Sequence, residues 1–130
     1  MRLLLTVAAL QLALVAFMAQ SPTEGQPVSF VKEVQPLINV LCVSCHAGGR
    51  PAAGLSLETY AGLALGNRKA KGLVPGKPND SLIYMTLNEI GGVKKMPPRR
   101  IAQPTAKEIE LIQRWIEQGA KDDTPPKPDK

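Results

Sequence analysis

Residues 42–46 read Cys-Val-Ser-Cys-His, and this segment contains every thiol and the only imidazole of the 130-residue chain. The pattern C-x-x-C-H is the attachment signature of a c-type haem. In that chemistry, the thiols of Cys42 and Cys45 add across the two vinyl groups of one porphyrin. Two intervening residues on a helical turn bring both sulfurs to the same edge of the ring. His46 follows directly and can bind the iron as the proximal ligand. The segment therefore predicts one covalent haem c.

Two other uses of a paired-cysteine segment compete with haem attachment. A disulfide between Cys42 and Cys45 would suit an exported thiol oxidoreductase. Such a site normally opens a helix in a thioredoxin-like fold with strands, and no segment of this chain reads convincingly as a strand. A zinc site needs four ligands, whereas this chain offers three good ones and no second cysteine pair. The sequence therefore favours haem.

A haem bound by one histidine needs a second axial ligand if its iron is to be six-coordinate. Haem proteins that transfer electrons usually use Met or His there. No second histidine exists, and the methionines are Met1, Met18, Met85 and Met96. The first two lie in the apolar N-terminal segment. Met96 is the better candidate because it lies in a predicted loop that Pro97 holds extended. Met85 is the alternative, since a methionine within a predicted helix more often fills the core.

Apolar residues recur at helical spacing in four segments, so the predicted fold class is all-α. Pro36 should bend or interrupt the first helix, because it lacks a backbone N–H. The first two predicted helices are residues 30–42, capped by Ser29, and residues 55–65, capped by Ser56 and ended by Gly66. The third is residues 80–89, capped by Asn79 or Asp80 and ended by Gly91 and Gly92.

The fourth predicted helix is residues 106–118. Thr105 and Glu108 form its capping box, Gly119 occupies C′, and its apolar stripe consists of Ile109, Ile112, Trp115 and Ile116.

The ends of the chain are predicted to lie outside the folded domain. Residues 1–20 have the outline of a signal peptide, with Arg2 before an apolar run. A retained membrane anchor is the alternative, although the 17 residues from Leu3 to Ala19 are short for a span of about 20 apolar residues. Residues 21–26 are a predicted linker, and residues 27–120 the domain. The polar, proline-rich residues 121–130 are a predicted disordered tail.

The chain is moderately basic, with a net charge of +5, and much of that charge falls in its middle. One interpretation is a solvated face that balances the haem propionates. The other is a surface that attracts an acidic redox partner. Nucleic acid is a poor partner for an exported chain that lacks interleaved basic and aromatic residues. The residues concerned are Arg68, Lys69, Lys71, Lys77, Lys94, Lys95, Arg99 and Arg100.

Several segments besides the haem motif resemble class I c-type cytochrome domains, and most closely the planctomycete-type cytochrome c domain. They are Phe30 with residues 34–38, residues 54–60, residues 74–78 with 81–83, residues 96–98, and residues 115–120. The resemblance implies a small helical domain wrapped around one haem, with thioethers from Cys42 and Cys45. It also implies that His46 is proximal and Met96 distal. Ala47 departs from the family, which often has Gly after the histidine.

The motif and the resemblance together predict a function in which no bond of a substrate is made. The chain is expected to be an extracytoplasmic single-haem c-type cytochrome that carries electrons between redox proteins by Fe(III)/Fe(II) cycling. It is therefore expected to be an electron carrier rather than an enzyme, either alone or as an accessory to an oxidoreductase. The alternative is a haem-based ligand-binding or sensor module in which the sixth ligand is labile. A reduced haem that binds carbon monoxide would favour this alternative.

Overall fold

The computed structural model describes residues 25–127, which form helices and turns without any strand. The all-α prediction is therefore confirmed for this part of the chain. Within it, no helix has the length and apolar character needed to cross a membrane. The predicted signal peptide and residues 128–130 lie outside the described residues.

The first helical element is a π-helical turn, Phe30–Val34, which continues into helix α1, Gln35–Leu41. Ser29 caps the turn through its side chain, as predicted. Pro36 accounts for the wide turn, because its ring would meet the carbonyl four residues earlier and it has no N–H to donate. The N–H of the first α1 residue instead reaches back five residues to the carbonyl of Phe30. The predicted interruption by Pro36 thus takes the form of a π turn.

Helix α2, Tyr60–Leu65, begins later than predicted, and its N-cap is Thr59 rather than Ser56. The cause is a tertiary one. Residues 55–57 run extended because their backbone groups form hydrogen bonds with the haem motif. Gly66 ends the helix with φ +75°, a conformation that a glycine adopts without strain.

Helix α3, Leu82–Asn88, follows a 3-10 turn at Pro78–Asp80, so the predicted caps Asn79 and Asp80 were wrong. The N-cap position belongs to Ser81, whose buried hydroxyl makes no capping bond. This hydroxyl accepts from the N–H of Val74 at 2.8 Å and donates to the carbonyl of Lys77 at 2.9 Å. Ser81 therefore fastens the preceding loop instead of capping the helix.

Two left-handed conformations shape the end of α3. The residue after the helix, Glu89, has φ 57°, and the 3-10 turn Ile90–Gly92 follows. The glycine pair that was predicted to end the helix lies in this turn, where Gly91 has φ 68°. The helix thus stops just before its predicted terminator.

Helix α4, Ala106–Glu117, has the predicted start and end. Thr105 accepts from the backbone N–H of Glu108, and the Glu108 carboxylate accepts from the backbone N–H of Thr105. The bonds that the Glu108 carboxylate accepts from Thr105, first from its backbone N–H and then from its hydroxyl, lower the pKa of Glu108. Gly119 follows the C-cap with φ 101°, as the sequence predicted. Of the predicted apolar stripe, Ile112, Trp115 and Ile116 are buried.

Three aromatic rings join the π turn, α2 and α4 in the core. Phe30 stacks on Trp115 with ring centroids 5.3 Å apart. Tyr60 meets both rings edge-on, at 5.3 Å from Phe30 and 6.2 Å from Trp115. The Trp115 indole N–H donates to the carbonyl of Lys121 at 3.0 Å, and the Tyr60 hydroxyl donates to that of Ala120 at 2.7 Å. The polar tips of the cluster therefore hold the chain that follows α4.

The segment after α4 also contacts the first helical turn. The Asp123 carboxylate accepts from the Ser29 hydroxyl at 2.5 Å and from the N–H of Val31 at 2.9 Å. These hydrogen bonds, that from Ser29 foremost, lower the pKa of Asp123. Contacts with the domain thus continue past residue 120, where the sequence placed its boundary.

Candidate haem site

The C-x-x-C-H segment forms a single turn that continues from α1. The N–H of Cys42 donates to the carbonyl of Ile38 at 2.9 Å. The carbonyl of Cys42 accepts from the N–H groups of Cys45 at 3.2 Å and His46 at 3.1 Å. Residues three apart on a helical turn share a face, so this geometry suits attachment of both sulfurs to one ring edge.

The two thiols lie in different surroundings. Cys42 is half-buried and packs against the core, and burial raises the pKa of its thiol to about 11. Cys45 is exposed, and both cysteines are free thiols. A reactive disulfide-exchange site needs a thiol with a lowered pKa, since the thiolate is the nucleophile. The surroundings of Cys42 therefore disfavour the thiol oxidoreductase alternative.

The imidazole of His46 is held by a backbone carbonyl. Its Nδ1 lies 3.2 Å from the carbonyl oxygen of Leu55. A carbonyl only accepts, so Nδ1 carries the hydrogen and Nε2 keeps a lone pair. The carbonyl of His46 also accepts from the N–H of Leu57 at 2.8 Å. Residues 55–57 thus select the tautomer whose Nε2 can bind a metal, and they orient the ring.

The two candidate methionines occupy the kinds of element that the sequence indicated. Met85 lies within α3, whereas Met96 lies in the non-helical segment between Gly92 and α4. Both side chains belong to half-buried residues. The N–H of Met96 donates to the carbonyl of Thr86 at 3.1 Å, which fastens this segment to α3.

Gln103, which the sequence analysis did not single out, holds the chain just after Met96. Its side-chain amide donates to the carbonyls of Pro97 at 3.1 Å, Pro98 at 3.0 Å and Ile101 at 3.0 Å. A surface glutamine carries no signal in a single sequence, because its amide can pair with many partners. The only hint in the sequence was the pair Pro97 and Pro98, because prolines have no backbone N–H and their turn therefore needs hydrogen-bond donors from other residues.

Comparison with known families agrees with this arrangement. Residues 42–100 match the family model described as Planctomycete cytochrome C. This segment is therefore similar to a planctomycete-type cytochrome c domain. The match begins at Cys42 and includes Met96, so the predicted resemblance is confirmed over residues 42–100, whereas the resembling segments at residues 30–38 and 115–120 lie outside the match. Neither the curated proteins nor the solved structures gave a significant match to the chain.

Similarity to the cytochrome c family suggests a covalent haem and haem-based electron transfer, and the residues present fit that group. Two free thiols lie on one turn, and the imidazole behind them keeps a lone pair on Nε2. Val43 and Leu55 pack with Cys42 against the core, which provides an apolar wall beside the attachment site. These are the thiol, imidazole and apolar groups that a haem c requires.

The segment that matches the cytochrome c family, residues 42–100, carries the net positive charge of the chain. Residues 42–100 contain nine Lys and Arg residues and three Asp and Glu residues, which gives +6, against +5 for the whole sequence. Most of the basic side chains are exposed, and Arg99 pairs with Glu89 at 2.5 Å. The rest of the chain is therefore close to neutral.

Proposed function

We propose that this chain is an extracytoplasmic electron carrier with one haem c attached through Cys42 and Cys45. The observation that carries the proposal is the hydrogen bond from His46 Nδ1 to the Leu55 carbonyl. In the neutral ring it leaves the Nε2 lone pair free, on the residue that directly follows Cys45. Export is supported by the apolar N-terminal segment and by the usual location of cytochrome c domains outside the cytoplasm.

When bound, the haem would supply one-electron Fe(III)/Fe(II) chemistry, and His46 and Met96 would hold its iron. His46 provides one ligand, and Leu55 keeps its ring from rotating. Met96 provides the other from a segment fastened to α3. The apolar side chains of Val43 and Leu55, which pack beside Cys42, would shield a bound haem from water, and this would favour the less charged reduced site and raise the reduction potential.

Replacing Met96 by Ala is expected to abolish the long-wavelength thioether–iron absorbance of the oxidised protein, because the variant lacks the sulfur ligand. The same variant, once reduced, should bind carbon monoxide at a position that is closed in the native protein. Absorbance spectra of both oxidation states, with and without carbon monoxide, measure these effects. The matched control is Met85→Leu, which removes the alternative sulfur from α3 and should leave both spectra native.

The opposite pattern of spectra would assign the sixth ligand to Met85. Rapid carbon monoxide binding by the native reduced protein would instead favour the sensor alternative, in which the sixth ligand is labile.

The redox partners of this carrier are proposed to be acidic proteins. The support is the +6 charge of residues 42–100 and the exposure of its basic side chains. Opposite charges accelerate encounter, and salt screens them. The carrier is proposed to span a membrane only if its N-terminal segment is retained as an anchor. Nucleic acid is not among the proposed partners.

Electron exchange with an acidic redox protein is expected to slow several-fold as salt rises from about 10 mM to about 0.15 M, where the Debye length falls from roughly 30 to roughly 8 Å. Stopped-flow absorbance measures this rate. Lys94→Glu should reduce the rate at low salt. The matched control is Lys107→Glu, which makes the same charge change on α4, outside the basic segment, and should reduce the rate less. A rate that does not depend on salt, or equal effects of the two variants, would contradict a docking role for the segment.

A further inference from the structure

We propose that Gln103 is a positioning residue for the sixth ligand, and that its side-chain amide keeps Met96 on the iron. The inference rests on the proposed function, in which Met96 binds the haem. It concerns how a weak thioether bond is maintained, and assigns that task to a residue outside the matched segment 42–100.

The chain after Met96 has few hydrogen-bond donors of its own. Pro97 and Pro98 carry no N–H, so neither can tie the turn to the rest of the domain. The only bond within the turn found among the described contacts joins the N–H of Ile101 to the carbonyl of Pro98 at 3.0 Å. Further donors to the carbonyls of this turn come from outside it.

Gln103 supplies these donors. Its amide nitrogen lies within 3.0–3.1 Å of three carbonyl oxygens, those of Pro97, Pro98 and Ile101. An amide NH₂ carries two hydrogens, so at least one is shared between two carbonyls. One side chain thereby holds three points of the turn, and we call this contact the Gln103 clamp.

The chain before Met96 is fastened independently. The N–H of Met96 donates to the Thr86 carbonyl at 3.1 Å, and the Lys95 ammonium group donates to the Leu87 carbonyl. Both acceptors lie on α3. Met96 is therefore the residue between two anchors, α3 on one side and the Gln103 clamp on the other.

A thioether is a weak ligand, so its retention depends on how little freedom the loop gains when the bond breaks. With both anchors present, a dissociated Met96 stays near the iron and rebinds. Loss of the Gln103 clamp would release the chain on the C-terminal side of Met96, while the hydrogen bonds to α3 on the N-terminal side remain. The population with an open sixth position should then rise, while His46 and the covalent attachment stay unchanged.

The clamp requires a hydrogen-bond donor at position 103. Leu has a similar size and donates nothing. An ionised Glu only accepts, and it would face three carbonyl oxygens. The expected order of sixth-ligand lability is therefore Gln103→Glu above Gln103→Leu above the native protein.

The test is the rate of carbon monoxide binding to reduced haem-loaded protein, since carbon monoxide binds only after Met96 leaves. Gln103→Leu should raise this rate roughly ten-fold, the effect of losing about 1.4 kcal/mol of hydrogen bonding. Gln103→Glu should raise it further. The matched control is Gln113→Leu, which should leave the rate native. Gln113 lies on α4, where its side-chain amide accepts from the Tyr84 hydroxyl and donates to the Glu117 carboxylate, so this variant also removes a hydrogen-bonded amide.

Native rates in both Gln103 variants would overturn the inference, as would equal acceleration by Gln113→Leu. Failure of the proposed function gives a different result. In that case Met96→Ala itself would leave carbon monoxide binding and the thioether absorbance unchanged.

Discussion

Replacing Cys42 and Cys45 together by Ser is expected to yield a chain that carries no haem and unfolds without a cooperative transition. Thioethers cannot form from hydroxyl groups, so covalent attachment is lost completely. Folding should suffer because Cys42, Val43 and Leu55 pack at the edge of the core, where a haem would cover them. A domain of about 100 residues has little apolar area to spare.

Intact mass and circular dichroism test this expectation. The native exported protein should exceed its polypeptide mass by one haem, and the double variant should not. Its mean helical signal should fall, with a broad thermal transition. Ser44→Ala is the matched control, because it alters the same turn without touching a sulfur and should retain the haem. A haem-free variant that stays compact and melts cooperatively would show that the helices form a stable core alone. A colourless native protein would remove the proposed function itself.

Replacing Trp115 by Ala is expected to lower the free energy of unfolding by about 3–5 kcal/mol. The side chain is 1% exposed, and it contacts the rings of Phe30 and Tyr60. Its removal leaves a cavity where the π turn, α2 and α4 meet, and it also removes the donor to the Lys121 carbonyl. Domains of this size are stable by roughly 5–15 kcal/mol, so the loss is a large part of the whole.

Denaturant titration of the haem-loaded protein measures the change. Trp115→Phe is the informative control, because it keeps an aromatic ring on Phe30 but loses the indole N–H. Its expected cost is about 1–2 kcal/mol. If Trp115→Ala cost less than about 1 kcal/mol, the aromatic cluster would not be a main source of stability, and the haem would have to supply it.

The local predictions succeeded where the partners are close in sequence. The capping box of Thr105 and Glu108 spans three residues, and Gly119 directly follows the helix that it ends. Ser29 caps the next residues in the same way. Such contacts depend on residue type and spacing alone, so a single sequence is sufficient to identify them.

The errors arose where backbone groups outside the helix compete for the same residues. Ser56 is a plausible helix cap by type, but residues 55–57 instead bond to the haem motif and stay extended. Asn79 precedes α3 as a suitable cap, yet the buried Ser81 takes the N-cap position while bonding to the loop. Residue type alone does not decide either case, because the carbonyl of His46 binds residue 57 and the backbone of Val74 and Lys77 binds Ser81.

The same distinction applies to the site. The sequence by itself determined the covalent chemistry, because both thiols and the imidazole of the C-x-x-C-H motif lie within five consecutive residues. Only the tertiary structure decided the tautomer of His46, the clamp of Gln103 on the turn after Met96, and the contact of Asp123 with Ser29. The physical reason is that polar side chains and backbone carbonyls have many chemically equivalent partners, and the path of the folded chain selects among them.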